Sequence, residues 1–180
     1  MQMESFNPLV TTNSLSQLTN DLTNVSEQCQ KFLRFALGSQ DRGLLPLEQV
    51  AHVLGVTIGD ILPLPQMPSC VLGIYNWRGK MLWLIDLNHL VDYPPLRSPA
   101  RESEPLMAMV IQINGQFMGL VVQYVKDIEL YDPGQLQKAT VDVFPPRLVP
   151  FVKGYLPSAN GIVLDTEAIA RYPLWQVHQS

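Results

Sequence analysis

Two stretches of this 180-residue chain read alike, and their likeness limits the folds open to it. Pro68-Ser-Cys-Val-Leu-Gly73-Ile resembles Pro150-Phe-Val-Lys-Gly154-Tyr. Thirteen residues past Gly73 stands Asp86, in Trp-Leu-Ile-Asp-Leu; eleven past Gly154 stands Asp165, in Ile-Val-Leu-Asp-Thr. Val50 and Val53 are spaced like Val125 and Ile128. A repeat of about 75 to 80 residues is too long for a solenoid unit. It predicts two similar β modules of about five strands each, near residues 32–91 and 106–172, between which strands can exchange. Modules this small bury too little surface alone. They are therefore expected to pack together and leave a groove between them.

Local signals fill in the modules. Phe32, Leu33, Phe35 and Leu37 predict a strand, the polar run Gly38–Gly43 a turn, and Leu44–Leu54 a return strand in which Pro46 marks an edge or a bulge. Pro63, Pro65 and Pro68 mark an extended crossing. Strands follow at Val71–Tyr75 and Met81–Leu87, around a turn at Trp77–Lys80, and 86–91 suits one helical turn. Residues 92–105, with four prolines, read as a linker. In the second half 106–113 and 117–130 form a hairpin about Asn114-Gly115, both of which tolerate the positive φ of a type I′ turn. Met118, Leu120, Val122, Tyr124, Ile128 and Leu130 alternate with Gln123, Asp127 and Glu129, the pattern of a strand buried on its apolar face. Pro145, Pro146 and Pro150 mark a second crossing, before strands at 152–156 and 162–165 and a helical turn at 166–170.

Two segments need separate treatment. Pro105–Val125 carries no charge for 21 residues, which is membrane-spanning length. Gln112, Asn114, Gln116 and Gln123 interrupt it, so a water-facing hairpin without membrane insertion is the better reading. Residues 1–28 form a polar tail dominated by Ser, Thr, Asn and Gln. Within it Leu15, Leu18, Leu22 and Val25 make one helical stripe, behind a Ser14–Gln17 capping box. A short amphipathic helix over about 15–28 is expected, packed on its own domain, with a partner or disorder as the alternatives.

Composition narrows the chemistry. A net charge of −4 offers no basic field for nucleic acid. Cys29 and Cys70 make no disulfide framework and the N-terminus has no signal-peptide pattern, which together point to the cytoplasm. His52, His89 and His178 are too scattered for local metal spacing, and no phosphate loop, nucleophile elbow or dinucleotide fingerprint occurs. Asp127/Glu129 and Asp165/Glu167 read as solvated strand residues. Asp86 and Asp165 each close a strand and are expected to cap the turn that follows, a folding device that the repeat uses twice. No catalysis, cofactor or metal is expected. Arg78 stands out at a hairpin tip between Trp77 and Gly79. Its planar fork suits protein recognition; the alternative is an ordinary solvated arginine over core Trp77 and Trp83.

The run Val71-Leu-Gly73-Ile-Tyr-Asn76-Trp-Arg78-Gly79-Lys-Met-Leu-Trp-Leu-Ile-Asp86-Leu87 resembles the central motif of CheW-like adaptor domains. The Pro65-x-x-Pro68 approach, Gly119-Leu-Val-Val before Val125-x-Asp-Ile, and Val152-x-Gly154 with Leu164-Asp165 follow in the family's order, so the likeness runs from Phe32 to Tyr172. It implies an all-β domain over 29–180: two intertwined five-stranded SH3-like barrels with short helices. It also implies a non-catalytic cytoplasmic adaptor that couples the cytoplasmic tip of methyl-accepting chemoreceptors to the regulatory domain of a CheA-type histidine kinase, in chemotaxis or pilus motility. By the same resemblance Val50, Gly73, Asn76, Arg78 and Gly79 would face the receptor, while Asp86, Asp165, Asn114 and Gly115 serve turns and caps. The chain departs from the pattern at Trp77 (usually Leu), Trp83 (often Pro) and Gln123 (commonly Asp). Two other readings remain: a small-ligand-binding β-barrel protein that uses the groove, and an enzyme whose site is assembled from distant residues.

Overall fold

A computed structural model describes residues 28–173, which form two five-stranded sheets and a few short helices. The strands are β1 (Gln30–Leu37), β2 (Gln40–Pro46), β3 (Val50–Val56), β4 (Val71–Trp77), β5 (Lys80–Asp86), β6 (Leu106–Ile113), β7 (Gln116–Val122), β8 (Val125–Tyr131), β9 (Val152–Leu156) and β10 (Gly161–Leu164). Helices α1 (Leu87–Leu90) and α2 (Thr166–Ala170) follow β5 and β10. The first sheet has the order β8-β1-β2-β10-β9 and the second β3-β6-β7-β5-β4. Shifting each strand number by five turns one order into the other. The repeat in the sequence is thus an internal pseudo-twofold in which each half gives its first two strands to one sheet and its last three to the other. Each sheet is antiparallel except for one pair in the equivalent place, β2–β10 and β7–β5.

The exchange explains two corrections to the sequence reading. Leu44–Leu54 is not one strand. Pro46 ends β2, Leu47–Gln49 form a 3-10 turn, and the chain leaves for β6 as β3. Nor does Pro46 mark an edge: β2 is the central strand of its sheet, and Pro46 lies beyond the residues that pair with β10. Likewise 117–130 breaks at Gln123-Tyr124, where β7 gives way to β8 and the chain crosses to β1.

The core follows from this layering. Every residue from Phe32 to Leu37 is buried, because both faces of β1 are covered. Phe32 packs with Leu44, Leu156 and Val163 inside the first sheet, and Leu82, Leu84, Val110 and Val121 fill the inside of the second. The largest cluster lies between the sheets, where Leu33, Phe35, Leu45 and Ile162 meet Ile85, Met109, Ile111 and Leu120. Each such side chain contributes about 1.5–3 kcal/mol through burial, so neither sheet is complete without the other.

Strand β8 corrects a further expectation. Glu129 and Tyr131, not Ile128 and Leu130, face inward, while Asp127 is exposed as expected. Arg34, only 8% exposed, donates from Nε to Glu129 Oε1 at 2.9 Å and from Nη2 to Glu129 Oε2 at 2.7 Å, to Tyr131 Oη at 3.1 Å and to the Ala159 carbonyl at 2.9 Å. The Tyr131 hydroxyl donates to Glu129 Oε2. A buried guanidinium costs several kcal/mol to desolvate unless it is paired and hydrogen-bonded, and this network meets that need. Glu129 is therefore no solvated strand residue. Its apolar neighbours Ile128 and Leu130 point outward instead, 56% and 61% exposed.

Two pairs of devices brace the copies alike. Asp86 accepts from His89 N at 3.0 Å and from Leu96 N at 2.7 Å, while Asp165 accepts from Ala168 N at 3.0 Å. Burial pushes the Asp86 carboxyl above its ordinary value, and the two backbone donors offset part of that shift. The prolyl crossings return to the sheets through Leu62–Ile74 and Gln137–Tyr155, two-bond bridges of 2.9 Å in the first and 2.7–2.8 Å in the second. Gly73 and Gly154 sit beside these bridges. A Cβ on either would overlap the carbonyl oxygen of Leu62 or Gln137, and Gly73 also has φ +139°.

Candidate functional site

The β4–β5 hairpin closes on two residues, Arg78 and Gly79, between the last ladder pair Trp77–Lys80. Their φ values, +52° and +76°, define a type I′ turn. The β6–β7 hairpin closes the same way on Asn114 and Gly115, at +51° and +79°. Asparagine and glycine suit such angles; arginine does not, and a left-handed conformation costs an L-residue of its kind about 1–2 kcal/mol. Asn76 helps hold the turn, with Oδ1 accepting from Gly79 N at 3.0 Å.

Arg78 is exposed, and its guanidinium stacks 5.2 Å from the Trp77 ring centre. Trp77 meets Phe117 edge-on at 5.3 Å and His52 at 6.0 Å, so the second sheet curls far enough for one edge strand to touch the other. Lys80 lies 5.2 Å over the Phe117 ring. Two cations thus flank one aromatic cluster, and each stacked pair is worth about 0.5–1 kcal/mol at an exposed site.

Phe117 joins this tip to a cleft of about 630 Å³ on the face of the second sheet that turns toward the first, at the margin of the layer between them. Alternation along β5 and β6 turns Met81, Trp83 and Ile85 and then Ile111 and Ile113 toward it. Met118 forms its floor between them, and Ala170 and Arg171, at and just past the end of α2, bound it on the far side. The row Ile111–Met118–Trp83 is continuous in register, and Val50 extends it on β3. Trp83 is therefore a half-buried wall of the cleft rather than a core residue. The lining is mixed: the apolar side chains of β5, β6 and β7 alternate with polar surface to which Asn114, Gln116 and Arg171 contribute. Such a surface can take the apolar side of a helix and orient it through a few polar contacts.

The structure brings Asn76, Arg78 and Gly79 together in one turn. Val50 lies across the sheet, half-buried in the Ile111 row. Gly73 is buried in β4 against Leu62, so its contribution to any contact is indirect. Sequence reasoning missed Lys80, Phe117, Met81 and the α2 end. The alternation of β5 carried a signal for Met81, whereas the approach of α2 is a tertiary fact. Among the described residues no three His, Cys, Asp or Glu side chains gather as metal ligands would, and no helix is long and apolar enough to cross a membrane.

Comparison with known proteins supplies the remaining finding. The model of the CheW-like domain matches residues 31–173. The chain is 24% identical over 159 residues to the chemotaxis protein CheW of Rhizobium meliloti (strain 1021), covering 87% of this chain and 96% of that protein. It also superposes on the crystal structure of the scaffolding protein TtCheW from Thermoanaerobacter tengcongensis with a TM-score of 0.59, at 22% identity, over 75% of this chain and 86% of that one.

Proposed function

This chain belongs to the CheW-like domain family, and on that premise we propose that it is a non-catalytic cytoplasmic adaptor. It couples the cytoplasmic tip of a methyl-accepting chemoreceptor to the regulatory domain of a CheA-type histidine kinase. The observation that carries this reading is the Arg78-Gly79 turn. A side chain poorly suited to φ +52° is kept at the exposed tip of the hairpin and stacked on Trp77, although asparagine fills the first position of the β6–β7 turn. A conformational cost accepted at an exposed tip points to recognition rather than folding. The adjoining cleft has the size and the mixed apolar and polar lining to seat ridge residues of an amphipathic receptor helix, with Arg78 and Lys80 placed to meet its carboxylates. Signal then passes as a shift between array states that contact the adaptor differently.

The test is binding to an immobilised chemoreceptor cytoplasmic fragment. Arg78→Ala is expected to weaken binding by about tenfold, or about 1.4 kcal/mol, while its melting temperature stays within about 2 °C of wild type because only the stacking on Trp77 is lost. Undiminished binding by Arg78→Ala would sink the assignment.

A further inference from the structure

Arg78 and Lys80 are exposed cations on either side of Gly79, and each rests on a ring rather than on an acid. Among the described residues Arg34, Arg101, Arg147 and Arg171 are paired with carboxylates, whereas none pairs with Arg78 or Lys80. The fold does not require charge at this place. At the pseudo-equivalent β9–β10 tip the run Leu156–Gly161 carries none, and Arg42 beside it is bonded to Asn160 Oδ1 at 3.2 Å. Stacking also leaves donors outward. A guanidinium on a ring keeps N–H groups free for a carboxylate, and an ammonium that touches a ring with one side has donors left on the other.

We propose that Lys80, positioned by Phe117, is a second specificity-determining residue beside Arg78, and that together they select a receptor helix carrying two carboxylates one turn apart. The inference rests on the receptor reading and adds the charge pattern of the partner. The rings that carry the two cations have centres 5.3 Å apart. Acids four residues apart on a helix share a face and are separated by about 6 Å along its axis. Phe117 also lines the cleft, so a helix seated there runs beside Lys80. A chain of net charge −4 offers an acidic helix no long-range attraction. The two cations therefore act at contact, and they discriminate among helices rather than steer them.

The test measures binding of the full chain to the immobilised chemoreceptor cytoplasmic fragment. Lys80→Ala is expected to weaken it by about three- to fivefold and Lys80→Glu by about tenfold or more. Lys80→Arg, which keeps the charge and the stacking, is expected to bind within about twofold of wild type. Lys80 is exposed, so all three variants should melt within about 2 °C of wild type. Replacing each acid of the receptor tip in turn by lysine should yield one receptor variant that restores binding to Lys80→Glu. Another, three or four residues from it, should restore binding to Arg78→Glu. If Arg78→Ala loses binding but Lys80→Glu does not, the proposal falls and the receptor reading stands. Absence of a rescuing pair at that spacing overturns the proposal in the same way, as does equal weakening by Lys80→Arg and Lys80→Glu. Undiminished binding by Arg78→Ala overturns both.

Discussion

Replacing Gly73 by alanine tests the pseudo-twofold brace most sharply. Its φ of +139° is a conformation that L side chains rarely adopt, at a cost of about 1–3 kcal/mol. The new Cβ would also overlap the Leu62 carbonyl oxygen and force apart the two hydrogen bonds that tie Leu62 to Ile74, each worth about 1 kcal/mol. The sum, about 3–5 kcal/mol, is a large part of a typical stability of about 5–15 kcal/mol. For a domain of this size each kcal/mol moves the melting temperature by about 2–4 °C, so a fall of about 6–20 °C is expected. Gly154→Ala should cost about 2 kcal/mol, since it would disturb the Gln137–Tyr155 bridge but has ordinary φ. Gly79→Ala is the control: its φ is +76° but nothing lies within 4 Å of the added carbon, so about 1 kcal/mol is expected. Thermal melting followed by circular dichroism measures all three. If Gly73→Ala melted no lower than Gly79→Ala, the brace would be refuted, and a loss of receptor binding by Gly73→Ala could no longer be assigned to the fold.

Arg78→Asn should separate folding from recognition. Relief of the left-handed strain, about 1 kcal/mol, exceeds the lost stacking on Trp77, about 0.5 kcal/mol. The variant should therefore melt about 1–2 °C higher than wild type and still lose receptor binding, and a lower melting temperature would contradict the strain argument. A second prediction concerns acid. The Arg34 guanidinium holds the Glu129 carboxyl below its ordinary value of 4.5, so the unfolded chain takes up the proton first as the pH falls. The stability from this pair is complete above the ordinary value and is lost as the pH drops through the folded one. Urea unfolding between about pH 5 and pH 3 should show a shallower loss in Glu129→Gln than in wild type, and equal slopes would show the pair to be uncoupled from folding.

How much of this was legible in the sequence depends on whether the cause is local. Asn114-Gly115 announces its turn because both residues suit positive φ by their own chemistry. Arg78-Gly79 adopts the same turn without that signature, so only its position between strands could be read. Pro46 signalled a break but not its consequence, the passage of β3 into the other sheet, which depends on β6 some 50 residues away. The faces of β8 were misassigned for a related reason. Period two separates Ile128 and Leu130 from Glu129 and Tyr131 but cannot say which set points inward; Arg34, on β1, decides that. The candidate site divides in the same way. The turn residues follow from the motif, while the cleft needs α2 to approach from the far end of the chain. The helix expected over 15–28 lies outside the described residues except at Gln28, which is helical.

The central claim is that this chain bridges two partners. Its most direct test is to mix a chemoreceptor cytoplasmic fragment, a CheA-type kinase and this protein, and to sediment the receptor. The expected result is that the kinase sediments only when this protein is present, and that Arg78→Ala releases adaptor and kinase together. Kinase that sediments equally well without this protein, or an Arg78→Ala variant that carries it down as fully as wild type, would contradict the claim.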